Sequence, residues 1–192
     1  MQISADSSGN TKPAKSFMVL FGKDLSIALQ YAIISLLAFL ISYYSVSAIQ
    51  RESSSLQMTG AMWAMISGII VLQETRQSTL DTASRRIFAS FVGAVLSFVY
   101  LSFLPFSPLG MAFMIGITIL LCTSLKIRDH ARLAALTVGV IMIFSTISPD
   151  QSPFVNASLR FGEVIVGSVV AVVIEWIWPY LAGMLEDHRT IT

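Results

Sequence analysis

The chain has 192 residues, 55% of them apolar and 12% charged, with a net charge of +1, and its mean hydropathy is +0.75. A soluble domain carries about 25% charged residues, so this composition excludes a disordered chain, a nucleic-acid binder and an ordinary cytosolic enzyme. One cysteine, Cys122, and two histidines, His130 and His188, exclude a disulfide framework and a histidine- or cysteine-rich metal site. A polytopic membrane protein remains.

In chain order, residues 1–24 read as a cytoplasmic arm, and 1–16 are polar enough to be mobile. The apolar run at 17–21 is too short for a signal-peptide core and no A-x-A site follows it. A crossing needs roughly 20 apolar residues, and six runs approach this: 25–49, 58–72, 87–104, 109–125, 131–147 and 161–178. Ser53, Ser54 and Ser55 read as a polar loop after the first. Pro105 and Pro108 bracket a turn between the third and fourth, and Pro149 and Pro153 fall in the loop after the fifth. Pro179 is expected to end the last helix. The fold class is therefore all-α with six transmembrane helices over 25–179, and 180–192 forms a short tail. Asn156-Ala157-Ser158 matches the glycosylation triplet, a pattern common by chance.

Orientation follows from the basic residues. With the N-terminus inside, Lys12, Lys15, Lys23, Arg76, Arg85, Arg86, Lys126, Arg128, Arg132 and Arg189 all fall on the cytoplasmic side. Arg51 and Arg160 alone fall outside. Both termini are then cytoplasmic.

The segment at 86–97 (RIFASFVGAVLS) resembles that at 160–171 (RFGEVIVGSVVA). Arg86 matches Arg160 and Gly93 matches Gly167, with two valines also shared. The two segments open the third and sixth spans, which run in opposite directions, as an inverted three-plus-three repeat requires. Small residues suit helix contacts in lipid, where apolar side chains gain little by leaving the tails. Ser90, Gly93 and Ser97 share one face of the third span with Arg86. Gly167 lies on the sixth and Gly68 on the second, and these five positions are the expected packing residues.

The charged groups in or beside the spans are the candidates for a substrate pathway: Arg86, Arg132, Arg160, Glu163 and Glu175. Arg86 and Arg132 each open an apolar run with no polar buffer, where a guanidinium could meet a carboxylate through two hydrogen bonds. The plainer reading is that they set topology and touch anionic lipid. Glu163 stands at i+3 from Arg160, within pairing distance on a helix. Trp63, Trp176 and Trp178 read as interfacial anchors. No Ser–His, paired-Asp or metal-binding constellation lies inside a span, so an enzyme is not expected. A transporter or channel competes with a non-transporting structural or accessory subunit of a larger transport assembly.

Several motifs taken together resemble the FUSC family, the fusaric acid resistance-like proteins grouped with aromatic acid exporters. They are Trp63 to Val71-Leu72-Gln73, Arg86-x-x-Ala89-Ser90-x-x-Gly93, Ala131-Arg132-Leu133-Ala134-Ala135-Leu136-Thr137, Arg160-x-x-Glu163-x-x-x-Gly167 and Trp178-Pro179. Plant aluminium-activated malate channels are similar at a greater distance. The resemblance implies a bacterial inner-membrane efflux protein for small organic anions, aromatic carboxylates above all, working as a homo-oligomer with no cofactor. A dimer is favoured, because six short helices leave one protomer little interior volume. Some relatives work with a periplasmic adaptor protein. Ala89-Ser90 stands where the family pattern has Gly-Thr. Many relatives also carry a large cytoplasmic domain or a second copy of the unit, so a minimal member, a subunit needing a partner or one that no longer transports is expected here.

Overall fold

The computed structural model describes residues 12–49, 54–125 and 128–187. Six helices account for nearly all of them: α1 Lys12–Ile49, α2 Ser54–Val71, α3 Arg76–Phe103, α4 Pro108–Ser124, α5 Arg128–Ile147 and α6 Pro153–Asp187. Within α1, α3 and α6 the stretches Asp24–Ser45, Arg76–Phe103 and Pro153–Ala182 are long and apolar enough to cross a bilayer. α2, α4 and α5 are apolar but hold 18, 17 and 20 residues, about 25–30 Å of helix.

Polar caps set the helix starts. Thr75 Oγ1 accepts from the Ser78 amide at 3.2 Å and opens α3. Ser107 Oγ accepts from the Gly110 amide at 3.0 Å, and Pro108 occupies the first helical turn of α4, where its missing N–H costs nothing. Ser152 Oγ takes the Val155 amide at 3.3 Å ahead of α6.

α3 and α6 pack on each other at the centre, with the Phe91 and Phe161 rings 5.7 Å apart. α2 lies on α6 and α5 lies on α3. α1 covers α2 and α6, while α4 covers α5. The buried surfaces are built from small side chains such as Ala38, Ala64, Ala134 and Ala171, and from hydroxyls. Those hydroxyls bond back to their own helices: Thr118 Oγ1 donates to Met114 O at 2.7 Å and Thr137 Oγ1 to Leu133 O at 2.9 Å. Large apolar side chains such as Leu36, Phe113 and Leu120 point outwards. Bulk outside and small or polar groups inside is the distribution that lipid favours.

Two crossings are closer than a side chain permits. A Cβ on Gly93 would lie 2.6 Å from Ala134 O and 2.8 Å from Thr137 Cβ. A Cβ on Gly167 would overlap Ala64 O and lie 2.9 Å from both Ser67 Cβ and Gly68 N. Gly68 meets Ile34 Cγ2 and Gly167 O on the same terms, at 2.9 and 3.3 Å. Ser90 and Ser97 are fully buried on α3, and the Ser90 and Thr137 hydroxyls are 3.3 Å apart.

Several expectations are corrected. α6 does not stop at Pro179 but continues to Asp187. A proline inside a helix removes the hydrogen bond to the carbonyl four residues back. Here the adjacent carbonyl, Trp176 O, accepts from Arg76 Nη2 at 3.3 Å, and the Arg76 guanidinium sits 5.8 Å from the Trp176 ring centroid. A side chain from α3 thus supplies a donor beside the gap. α1 begins at Lys12, so the helix includes part of the expected arm; residues 1–11 and 188–192 lie outside the described residues. Ser54 and Ser55 belong to α2 and not to a loop, while Ser53 is also outside the described residues. Asn156, the first residue of the glycosylation triplet, is buried, and its Nδ2 donates to Ile141 O at 3.0 Å, tying α6 to α5.

Candidate anion site

The buried stripe of α3 runs Thr79, Ala83, Arg86, Ala89, Ser90, Gly93 and Ala94. Arg86 is the one long side chain in it, and the i±3/i±4 spacing of its small neighbours turns it into the bundle instead of towards lipid. It is 1% exposed. Its Nη2 donates to Ser67 Oγ on α2 at 3.4 Å, a bond at the long end of the range. Its Nε and Nη1 are buried without a hydrogen-bond partner among the described residues.

Arg160, on the first turns of α6, is 4% exposed and faces the same space. Its Nη1 lies 2.8 Å from Glu163 Oε2, the pairing that the i, i+3 spacing predicts. Its guanidinium carbon is 4.3 Å from the Phe144 ring centroid, a cation–π contact from α5. Glu163 is 2% exposed. Its carboxylate occupies the place where a residue at position 60 would carry its Cβ, so Gly60 is what admits it.

Arg86 and Arg160 line one small cleft, about 10 Å3 in volume, where α2, α3, α5 and α6 meet. Trp63 from α2, with Leu136, Thr137 and Val140 from α5, gives it apolar and aromatic walls. The Trp63 Nε1 is buried with no partner among the described residues. The unpaired nitrogens of two lining residues, Nε and Nη1 of Arg86 and Nε1 of Trp63, are buried donors that cannot accept. A buried donor left unpaired costs about 1–3 kcal/mol, and more if charged. Such a lining suits a ligand that brings oxygen acceptors, negative charge and an apolar body.

The other two candidates lie elsewhere. Arg132 is exposed on α5, because the buried face of that helix is occupied by Ala131, Ala134, Ala135 and Val138. Glu175 lies about 18 Å along α6 from Glu163, and its Oε2 accepts from Gln30 Nε2 of α1 at 2.5 Å. One turn further on, Trp178 Nε1 donates to Ser26 Oγ at 3.1 Å. Together these two bonds fix α1 to α6. Trp63, expected as an interfacial anchor, lines the cleft. The aromatic residue in the first motif of the family resemblance was the available signal. Thr137 was also quoted in a motif, but nothing in the sequence placed it opposite Arg160.

No curated protein and no solved structure matches the chain. The family model described as fusaric acid resistance protein-like matches residues 37–174, a stretch that holds Trp63, Arg86, Thr137, Arg160 and Glu163. With more than half of its length covered, the chain belongs to the fusaric acid resistance protein-like (FUSC) family of membrane transport proteins.

Proposed function

We propose that the chain exports small organic anions, aromatic carboxylates foremost, across the bacterial inner membrane. The observation that supports this reading is the set of buried donor nitrogens without partners among the described residues, Nε and Nη1 of Arg86 and Nε1 of Trp63, on two residues that line one cleft. A carboxylate has two oxygens to take the free edge of Arg86, and an aromatic ring suits walls made of Trp63, Leu136 and Val140. Family membership supports transport as the general role.

The finer architecture belongs to the same proposal: six crossings, both termini cytoplasmic, an inverted repeat and a homodimer, with a periplasmic adaptor as a further partner. The repeat is supported by the close crossings. Gly93 meets Ala134 and Thr137, whereas Gly167 meets Ala64 and Ser67, so each glycine faces a small residue and a hydroxyl residue three positions on. Arg86 bonds Ser67, and Arg160 shares the cleft with Thr137.

The test is reconstitution in liposomes with a panel of aromatic and aliphatic carboxylates. Uptake of aromatic carboxylates is expected: dependence on a proton gradient would identify a carrier, and current without coupling a channel. Silence across the panel would favour the structural subunit. For orientation, Ser54→Cys and Ser152→Cys are introduced after Cys122 is replaced by alanine. A membrane-impermeant thiol reagent is expected to label both from outside the cell alone. Labelling from the cytoplasmic side alone would overturn the topology.

A further inference from the structure

Arg86 makes a single hydrogen bond among the described residues, from its Nη2 to the neutral Ser67 hydroxyl at 3.4 Å. Its Nε and Nη1, like the Nε1 of Trp63, are buried donors without a partner there, and both residues line the same cleft. Nothing bonded to Arg86 among the described residues carries a negative charge. In surroundings of low dielectric, a buried charge is tolerated when it is matched and costly when it is not.

Size limits what can match it. The cleft is about 10 Å3 in volume, and about 10–15 Å3 of such space holds one water molecule. Sites for drug-sized ligands run to roughly 300–1,000 Å3. A carboxylate with a ring behind it does not fit while the walls stand as they do here. One particle of about the size of water does.

Chemistry chooses between a water and an ion. A water has two protons to place as well as lone pairs to offer. Of the side chains that line the cleft, Thr137 alone has an acceptor oxygen, since guanidinium, indole and aliphatic groups have none. That oxygen already stands 3.3 Å from the Ser90 hydroxyl, and its own proton goes to Leu133 O at 2.9 Å. A monatomic anion accepts from every side, has no proton to place and brings the negative charge that Arg86 lacks. Arg160, which also lines the cleft, is engaged with Glu163 and is not needed as a ligand.

We propose that Arg86 and Trp63 hold a single halide ion, chloride in the cell, between the guanidinium edge and the indole N–H. The ion matches the buried charge of Arg86 in the arrangement described here. A carboxylate that reaches Arg86 has to part the walls and displace it. This goes beyond the transport reading and does not depend on it.

The test uses the purified full chain in detergent, titrated with sodium chloride or bromide at constant ionic strength, with methanesulfonate as the balancing anion. Methanesulfonate carries the same charge but is too large for the cleft. Saturating halide is expected to raise the wild-type thermal midpoint by about 2–4 °C. Arg86→Met removes the charge and is expected to lose the response. Trp63→Phe keeps a ring and removes the N–H, and its halide Kd is expected to rise roughly tenfold. Crystals grown in bromide are expected to show an anomalous peak between Arg86 and Trp63. A wild-type midpoint indifferent to halide overturns the proposal. So does a response that persists in Arg86→Met, wild-type affinity in Trp63→Phe, or a water in place of bromide in those crystals. Uptake of benzoate by liposomes without halide binding would leave the transport reading standing and this one overturned. Halide binding by a protein silent for carboxylates would do the reverse.

Discussion

Replacing Arg86 by methionine is expected to raise the stability of the protein and, in the same step, to end its anion transport. The guanidinium is fully buried, with one long bond to Ser67 and two nitrogens without partners. A charged side chain deep in a membrane helix costs about 2.5–3.5 kcal/mol on insertion scales. Replacing buried ionic groups by apolar ones of similar volume is often neutral or stabilising by about 1–4 kcal/mol. The thermal midpoint in detergent is therefore expected to rise. Transport moves the other way, because two charge-assisted hydrogen bonds to a carboxylate, each worth about 1.5–3 kcal/mol, are lost. At about 1.4 kcal/mol per tenfold, uptake is expected to fall roughly a hundredfold or more. Arg86→Lys keeps the charge but loses the planar fork, and about a tenfold loss is expected. Lysine at wild-type rates with normal insertion would reduce Arg86 to a topology signal. A methionine variant that is less stable yet still active would reverse both halves of the argument.

Gly167→Ala is the second large effect, and it falls on assembly. The new Cβ would overlap Ala64 O and press on Gly68 N and Ser67 Cβ. Two of these are backbone atoms, which move only if α2 leaves α6. Overpacking costs about 1–3 kcal/mol where side chains can adjust, and this site has less freedom than that. Five residues earlier on the same helix, Gly162 has nothing within 4 Å of its Cβ position. Gly162→Ala is expected to be neutral or to stabilise by about 0.5–1 kcal/mol through helix propensity. The pair is read by the monodisperse fraction in mild detergent and by thermal midpoint. Equal behaviour of the two variants would show that the α2–α6 crossing is not tight.

The helices and the tightest crossings could be read from the sequence because each leaves a local mark. Apolar runs and flanking prolines located the helices, and the shared Arg and Gly at 86/93 and 160/167 located the close contacts. The Arg160–Glu163 pair could be read from spacing alone. The rotation of α4 and α5 about their axes could not. Most positions in them are apolar or small, so no polar stripe marks the inner face. That is why Arg132 on α5 could be read like Arg86 although it is exposed, whereas the Ser90, Gly93 and Ser97 face of α3 had already marked the buried side of that helix. Trp63 was hidden for the same reason: an amphipathic ring near a helix end fits an anchor as well as a wall. Pro179 was misjudged because a local rule forbids it, whereas the donor beside the gap, Arg76, comes from a helix about a hundred residues away in sequence.

The pairing of helices has a consequence for how the chain is made. α2 finds its tightest partner in α6, and α3 finds its own in α5. The first three helices therefore leave synthesis with their most confined surfaces bare: Ala64 and Ser67 on α2, Gly93 on α3. Helix hairpins of neighbours, such as α1 with α2 and α4 with α5, can form as they emerge. The core cannot close until α6 has been made, since Gly167 is the piece that α2 lacks. Contacts that wait for distant sequence are slow to form and leave intermediates exposed. A ribosome stalled before α6 would thus hold a chain with an open seam along α2.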